Sequence, residues 1–295
     1  MAATVFVSLV DERQEYHRLQ AGEARAIGTR AGLLVEVQFA ENNPVVQIHQ
    51  SFARIHAPEA ERPAAIVIHT ITGEGLERVA RNAVAAGIGW VVLNRRVGYL
   101  EELRRQRQDL PIASVTPDHL EIGRIHGRQV RALAPDGGLV LYVQGPADTS
   151  AAQDRLLGTR AVLGVRYEWK VLNADWTGAG GEKAVAGWLR LGSAGNRRPA
   201  VIVAQNDAMA IGARRATCAH SPEWSDVPVL GCDALPEDGQ HRVASGVLSA
   251  SVVLPATAGR AVELVAGWLR SRQPLPAESV LSPCSFPPES ALRRR

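Results

Sequence analysis

The sequence predicts an α/β protein built from two lobes, each containing a doubly wound parallel sheet. Short apolar runs rich in Val, Ile and Leu alternate along the chain with longer amphipathic stretches. This alternation is typical of parallel strands that helices cover on both faces. About ten such units exceed one sheet of ordinary size, so we expect two lobes. No low-complexity linker divides the chain, so the connections between the lobes should be short.

The predicted strands and helices follow one another in a regular order. In the first half, the strands are "TVFVSLV", "LLVEVQF", "AAIVIHT", "WVVLN" and "IASV", and the helices include Glu15 to Arg30, "PVVQIHQSFARIH" and Leu76 to Ala86. The next helix begins at Asp118, which has capping-box spacing with Glu121. In the second half, the strands are "GLVLYVQG", "YEWKVLNAD", "PAVIVAQ", "VPVLGCD" and "VLSASVV". The helices there are "TSAAQDRLLGTRAVLG", "GEKAVAGWLRL", one starting near Asp207, one near Pro236 to Ser245, and "TAGRAVELVAGWLR".

Length and composition describe an ordinary globular chain. The 295 residues are 46% hydrophobic and 21% charged, with a net charge of +3. The basic run Arg293 to Arg295 is interpreted as a solvated end, so no nucleic-acid partner is predicted. No apolar segment approaches the ~20 residues of a membrane span. The start "MAATVFVSLVDE" indicates a first strand rather than a signal peptide, because it has no basic segment and too short an apolar run. We therefore expect a cytoplasmic chain or the mature part of an exported one.

Catalytic, metal and cofactor motifs are scarce. Cys218, Cys232 and Cys284 lie outside any C-x-x-C, which favours buried free thiols over disulfides or a metal site. No nucleophile elbow, H-E-x-x-H or phosphate-binding loop occurs. The segment "TGEG" is a weak dinucleotide motif because Arg78 stands where a third glycine is required. We therefore predict a protein that is not an enzyme and has no catalytic residues, metal or cofactor.

Polar side chains recur where the predicted strands end. They comprise Asp11 to Tyr16, Asn94 and Arg95, the segment "PADTSAAQDR", Asp175 and Trp176, Asn206 and Asp207, and Asp233. The carboxyl ends of the strands in open α/β sheets form ligand sites. Carboxylates, amides, guanidinium groups and aromatic faces together suit a polyhydroxylated ligand. One such residue alone is more often a helix cap, but their repetition in both halves favours a binding site.

Four stretches together resemble the periplasmic sugar-binding proteins of the ribose/galactose type, which share their fold with lactose-repressor-like effector domains. These stretches are "VVLNRR", "VQGPADTSAAQDRLLGTRAVL", "AQNDAMAIGA" and "VLGCDALPEDGQHRVASGVLSASVVLPATAGRAVELV". The resemblance implies a ligand cleft between two lobes joined by a three-strand hinge that closes on ligand. The crossovers are expected near Thr116 to Asp118, Val253 to Pro255 and Leu281 to Cys284. The first lobe is predicted to comprise residues 1–117 and 254–282, and the second residues 118–253 and 283–295.

The resemblance also implies which side chains bind the ligand. The eight residues are Arg13, Tyr16, Asn94 and Arg95 from the first lobe, and Arg155, Trp176, Asn206 and Asp233 from the second. Tyr16 would form an aromatic wall, Trp176 would stack on the ligand, and Asp233 would accept two hydroxyls. Asn206 is predicted to contact the ligand, while Asp207 is predicted to cap its helix.

Two departures from the family pattern concern charge. Asn94 replaces the usual Asp, and Arg13 stands where ribose-type members often carry Asn. A surplus of arginine suits a ligand with a carboxylate or phosphate, such as a sugar acid. Two alternatives stay open: Glu15 neutralises Arg13, or Arg13 points to solvent.

The resemblance implies a monomeric receptor that passes a monosaccharide or sugar-like molecule to a membrane permease of the ABC type or to a sensor. It implies a periplasmic location if an export leader has been removed. One alternative is the effector-binding core of a lactose-repressor-like regulator that lacks its DNA-binding domain. A second is an α/β enzyme acting on a nucleotide or sugar, and a third is a scaffold or sensor module whose pocket is no longer used.

Overall fold

The structure is a computed structural model that describes residues 2–72, 75–190 and 197–293. The first elements are β1 Thr4–Leu9, α1 Glu15–Ala31, β2 Leu34–Phe39, α2 Pro44–Ile55, β3 Ala65–His69, α3 Glu77–Ala85, β4 Gly89–Leu93, α4 Leu100–Gln106 and β5 Ile112–Pro117. The middle elements are α5 His119–Leu133, β6 Gly138–Gln144, α6 Ser150–Val162, β7 Tyr167–Asn173, α7 Gly178–Arg190, β8 Val201–Ala204, α8 Asp207–His220, β9 Val229–Leu230, α9 His241–Ala244 and β10 Ser251–Val253. The last elements are α10 Thr257–Ser271, β11 Glu278–Leu281 and β12 Cys284–Phe286. Part of the "TGEG" segment and the final two arginines lie outside the described residues.

The chain folds into two compact units and passes from one to the other three times. The first unit comprises Met1–Pro117 and Ala256–Leu281, and the second comprises Asp118–Pro255 and Ser282–Arg295. Each unit is an α/β structure built on a parallel sheet. The predicted fold class of two α/β lobes with parallel sheets is confirmed.

The first unit contains a six-stranded sheet in the order β11-β5-β4-β3-β1-β2, with parallel pairing between all neighbours. Every residue of β3 and β4 is buried. This burial explains their continuous apolar sequences, because helices cover the sheet on both faces. Side chains from α1 and α10 form one core, and side chains from α2, α3 and α4 form another.

The second unit contains a four-stranded parallel sheet in the order β7-β6-β8-β9. In both units the first strand therefore lies between the second and the third. The chain therefore turns to one side of β1 or β6 for the second strand and to the other side for the third. In open α/β sheets, ligands bind at the carboxyl ends of the strands beside such a reversal. Separately, β10 pairs antiparallel with β12, which the sequence did not predict.

Several local predictions can be compared with the described elements. Asp118 caps α5 by accepting a hydrogen bond from the Glu121 amide at 2.8 Å, as the capping box predicts. The predicted helix from Pro236 to Ser245 is a π-helical turn, Pro236–Gln240, followed by the short α9. The predicted strand "VLSASVV" is wrong over its first half, because Leu248 donates to the Arg242 carbonyl and thereby closes a turn.

The cysteine prediction was only partly right. All three cysteines are free, but only Cys232 is buried, while Cys218 is half-buried and Cys284 is exposed on the short strand β12. Across the described ranges, no helix is both long enough and apolar enough to cross a membrane. The same ranges contain no cluster of three or more His, Cys, Asp or Glu side chains suited to a metal ion.

The packing of α5 on α6 generates a stability prediction. A Cβ added at Gly158 would lie 2.1 Å from the Leu120 carbonyl oxygen. We expect Gly158→Ala to lower the free energy of unfolding by about 1–3 kcal/mol, because the two helices must separate. The control is Gly22→Ala on α1, where an added Cβ meets no atom within 4 Å.

Gly22→Ala should raise the free energy of unfolding by up to about 1 kcal/mol, because alanine favours helix over glycine. Urea denaturation of both variants measures the difference. Equal effects at the two positions would contradict the close approach of α5 and α6.

Candidate functional site

The predicted ligand residues follow the carboxyl ends of strands in both sheets. In the first unit, Arg13 and Tyr16 come after β1, and Asn94 and Arg95 directly follow β4. In the second unit, Arg155 lies on α6 after β6, and the others are Trp176 after β7, Asn206 after β8 and Asp233 after β9. Each group is described by its own contacts below.

Tyr16 and Asn94 belong to one buried hydrogen-bond network in the first unit. Asn94 Nδ2 donates to the Tyr16 hydroxyl at 3.0 Å, and Asn94 Oδ1 accepts from Thr257 Oγ1 at 2.5 Å. Gln20 Nε2 donates to the same Thr257 hydroxyl at 3.0 Å, and Gln20 Oε1 accepts from the Ala258 amide at 2.6 Å. The network therefore joins the residue after β4 to α1 and to the start of α10.

Arg13 is neutralised by a residue that the charge argument did not include. Its guanidinium donates to both carboxylate oxygens of Asp11, with Nε 3.0 Å from Oδ1 and Nη2 2.7 Å from Oδ2. This hydrogen bonding holds the pKa of Asp11 below its ordinary value. The Arg13 side chain is 81% exposed, and Glu15 pairs instead with Arg18 at 3.2 Å. Arg13 therefore adds no surplus positive charge to this end of the sheet.

Two histidines that the sequence analysis did not single out lie close to these residues. His17 and His69 are both buried, and their rings meet edge to face with centroids 5.0 Å apart. Burial lowers the pKa of His17 to about 4, and the nearby Arg95 charge lowers it further, so the imidazole is neutral at neutral pH. The signal for His69 was its position at the end of the apolar strand β3.

Arg155, Trp176 and Asn206 form a connected group in the second unit. Arg155 is buried, its Nη1 donates to the Gln205 carbonyl oxygen, and its Nε donates to His119 Nδ1 at 3.4 Å. The guanidinium carbon lies 5.7 Å from the centroid of the half-buried Trp176 ring. Asn206 Nδ2 donates to the Trp176 carbonyl oxygen at 2.8 Å. These contacts join the segments that follow β6, β7 and β8.

The structure reverses the predicted capping role of Asp207. The N-cap of α8 is Asn206, whose Oδ1 accepts from the Met209 amide at 2.9 Å. Asp207 is instead the first residue of the helix, and its buried carboxylate accepts hydrogen bonds from Ala234 and Ser251. The prediction was wrong because either side chain can cap a helix, and only the neighbouring segments decide between them.

Backbone conformation distinguishes three of the eight predicted ligand residues. Among the described residues, seven other than glycine have positive φ, and these include Asn94 at 59°, Trp176 at 69° and Asp233 at 122°. Such conformations are uncommon outside glycine and cluster at functional sites. Three of seven cases therefore coincide with positions chosen for an independent reason.

A comparison with known protein families agrees with this geometry. The family model described as periplasmic binding protein domain matches residues 7–265. The chain belongs to the periplasmic binding protein family. Proteins of this family bind solutes and are not enzymes, which confirms the absence of catalysis predicted from the missing motifs.

Individual relatives of this periplasmic binding protein are distant in sequence but cover most of its length. The chain is 28% identical over 252 residues to the ribose import binding protein of Escherichia coli, covering 84% of this chain and 74% of that protein. The Caulobacter myo-inositol binding protein has a similar fold, with a TM-score of 0.81, 22% identity, and coverage of 96% and 92% of the two chains. The fructose-binding periplasmic domain of a hybrid two-component system is also similar, with a TM-score of 0.80, 20% identity, and coverage of 96% and 90%.

The network behind Asn94 generates a prediction at Thr257. Thr257→Val keeps the shape of the side chain but removes the donor to Asn94 and the acceptor for Gln20. We expect the free energy of unfolding to fall by about 1–3 kcal/mol, because buried polar groups lose hydrogen bonds. Thermal and urea denaturation measure the change.

The matched control is Thr29→Val, because Thr29 is exposed and donates only to the Arg25 carbonyl of its own helix, at 3.0 Å. That variant should change the free energy of unfolding by less than about 0.5 kcal/mol. A Thr257→Val protein as stable as the Thr29→Val protein would show that the network contributes nothing to stability.

Proposed function

We propose that the chain is a receptor that binds a monosaccharide or a sugar-like polyol and passes it to a membrane permease or a sensor. The observation that carries this proposal is the group formed by Arg155, Trp176 and Asn206. It combines a buried guanidinium, a half-buried indole and a carboxamide that contact one another at the ends of neighbouring parallel strands. An aromatic face with polar groups beside it suits a ring that carries several hydroxyls.

The proposed roles in the second unit follow from donor and acceptor capacity. Asn206 uses one amide hydrogen and one lone pair in its contacts with Trp176 and Met209, which leaves one of each for a ligand hydroxyl. Trp176 would stack on the apolar face of the sugar ring. Asp233, a half-buried carboxylate, would accept two hydroxyls, and Arg155 would donate to a ring or hydroxyl oxygen.

In the first unit, Tyr16 would supply an aromatic wall whose hydroxyl is oriented by Asn94. Arg95, which is 7% exposed, would donate to hydroxyl oxygens. Arg13 keeps a proposed role at the rim, where its exposed guanidinium would contact the ligand while paired with Asp11. Because Asp11 neutralises Arg13, the proposed ligand residues of the first unit suit a neutral ligand as well as an anionic one.

The relatives support the ligand class and the partners without deciding among them. The names of the three similar proteins describe ribose, myo-inositol and fructose as their ligands, and all three are polyhydroxylated. One is an import protein and another is the periplasmic domain of a two-component system, which supports either a permease or a sensor as partner. We propose a periplasmic location on the strength of family membership.

A thermal-shift panel tests the proposal. The panel contains D-ribose, myo-inositol, D-fructose and D-galactose, with D-galacturonate as the charged counterpart of galactose. A ligand present at about 100 times its Kd should stabilise the protein by about 2.7 kcal/mol. Mass spectrometry should recover the ligand unchanged. Absence of any shift across the panel, with calorimetry in agreement, would contradict a sugar-binding role.

Substitution of Trp176 tests the proposed stacking. Trp176→Ala should weaken binding of the stabilising sugar about tenfold, because a ring contact worth roughly 1 kcal/mol or more is lost. The free energy of unfolding of Trp176→Ala should change little. The control is Trp169→Ala, because Trp169 is a half-buried residue of β7 that packs against Tyr142 and Arg160.

Trp176 also packs against the core of the second unit, so a purely structural role is the alternative. In that case Trp176→Ala should lower the free energy of unfolding by about 3–5 kcal/mol while the folded protein keeps its affinity. Calorimetric titration and urea denaturation of both variants separate the two outcomes.

A further inference from the structure

The carboxylate of Asp207 joins three segments of the second unit. Asp207 is only 3% exposed at the first turn of α8. Its Oδ2 accepts a hydrogen bond from the Ala234 amide at 2.8 Å, in the loop after β9. Its Oδ1 accepts from the Ser251 hydroxyl at 2.6 Å, in β10. Its own amide donates to the Cys232 carbonyl oxygen at 2.7 Å.

Two glycines make room for this carboxylate. A Cβ added at Gly231 would lie 2.0 Å from Asp207 Oδ1, and one added at Gly239 would lie 2.1 Å from Oδ2. The loop therefore passes the carboxylate at a distance that only glycine allows, once before Asp233 and once after it. This enclosure ties the course of the loop to the presence of the Asp207 side chain.

The residues held in this way have unusual backbone conformations. Asp233 has φ of 122° and Ala234 has φ of 45°, although neither is glycine. The Asp233 amide donates to the Val252 carbonyl at 2.9 Å, and its carbonyl accepts from the Leu254 amide at 3.2 Å. A left-handed conformation at a residue with a side chain costs about 1–3 kcal/mol and persists only where the surroundings enforce it.

We propose that Asp207 is a positioning residue for ligand binding, whose carboxylate holds the Asp233–Ala234 backbone in the conformation from which Asp233 reaches the ligand. This inference rests on the proposed function, because it requires Asp233 to contact the solute. Asp207 itself does not touch the ligand in this scheme. It acts through Ala234 on one side and Ser251 on the other.

Burial makes this device sensitive to pH. Burial raises the pKa of Asp207 to about 6, the negative charge of Asp238 adds to this, and the hydrogen bonds from Ser251 and Ala234 oppose it. Asp238 is itself paired with Arg242 at 3.0 Å.

The other titratable or charged groups near Asp207 lie in the loop after β9 and on α5 and α6. Cys232 and Asp233 directly precede Ala234 in the loop. Burial raises the pKa of the Cys232 thiol, the negative charge of Asp207 adds to this, and the positive charge of Arg155 on α6 opposes it. On α5, His126 contacts the Gly231 carbonyl oxygen at 2.8 Å. Helix α7 packs against α8, and its Glu182 pairs at the surface with Arg215 of α8, 3.9 Å apart, and not with Asp207.

The sign of the pH effect follows from these contacts. Above pH of about 6 the carboxylate is ionised and accepts two hydrogen bonds, whereas below it one oxygen carries a proton and the bond from Ala234 weakens. Affinity for the ligand should therefore fall as the pH drops through about 6. The contribution of Asp207 to folding stability has the opposite sign, because its raised pKa favours folding at acid pH and this contribution is lost as the pH rises through about 6.

Asp207→Asn tests the proposal, because the amide has the same shape but neither charge nor titration. The matched control is Asp238→Asn, which removes the neighbouring carboxylate of the same loop. Hydrogen exchange of the Ala234 amide, without ligand, should be about fivefold to tenfold faster in Asp207→Asn than in the wild type at pH of about 8, and unchanged in Asp238→Asn. Thermal unfolding at that pH should show Asp207→Asn to be at least as stable as the wild type, because an ionised carboxylate is no longer buried.

Ligand binding is then measured by calorimetry with D-ribose and myo-inositol between about pH 5 and about pH 8. Wild-type affinity should fall about fivefold to tenfold toward acid pH, while Asp207→Asn should bind with the lower affinity and no pH step. Unchanged Ala234 exchange in Asp207→Asn, or an affinity step that survives the substitution, would overturn the inference.

Asp233→Asn separates this inference from the proposed function. If Asp233→Asn loses binding and Asp207→Asn does not, Asp233 is a ligand residue and Asp207 does not position it. If the wild type binds neither probe, nor any other sugar of the panel, the proposed function itself fails. A lower stability of Asp207→Asn at pH of about 8, with unchanged affinity of the folded protein, would identify a structural role only.

Discussion

In a parallel sheet that helices cover on both faces, polar side chains can reach solvent or a ligand only at the ends of the strands. In the first unit every residue of β3 and β4 is buried, and in the second every residue of β8 is buried. Polar groups inside these strands would lose water without gaining partners, since the backbone hydrogen bonds are already used in the sheet. The proposed ligand residues therefore lie where the strands end and the helices begin.

Buried hydrogen bonds connect the strand ends to other segments of each unit. Thr257 donates to Asn94 and accepts from Gln20, and Asp207 accepts from Ala234 in the loop that carries Asp233. Each network includes a non-glycine residue with positive φ, a conformation that has a cost in stability. In the case of Asp207, burial of the carboxylate adds a second cost at neutral pH. The proposed binding site therefore exchanges some stability for fixed geometry.

Two of the arginines at these strand ends have partners that the sequence analysis did not predict. Arg13 is matched by Asp11 two residues earlier, so the exposed guanidinium and the buried carboxylate form one neutral pair. Arg155 is buried and is satisfied instead by a backbone carbonyl, an imidazole nitrogen and the face of Trp176. A guanidinium group held by neutral partners retains N–H donors for a ligand oxygen, and a sugar hydroxyl can accept such a hydrogen bond although a carboxylate accepts it more strongly.

The sequence by itself determined the α/β class, the order of most strands and helices, the cap at Asp118 and the placement of polar residues after strands. These features are local: apolar runs of strand length, helical periodicity and capping residues are readable within a few positions. Only the tertiary structure decided that Asn206 rather than Asp207 caps α8, that β12 pairs with β10, and that His69 lies beside His17. The partners in these contacts are distant in the chain, and the capping competition at Asn206 and Asp207 depends on Ala234 and Ser251. Local preference cannot rank two side chains that suit the same role, because the difference arises from segments that only folding brings together.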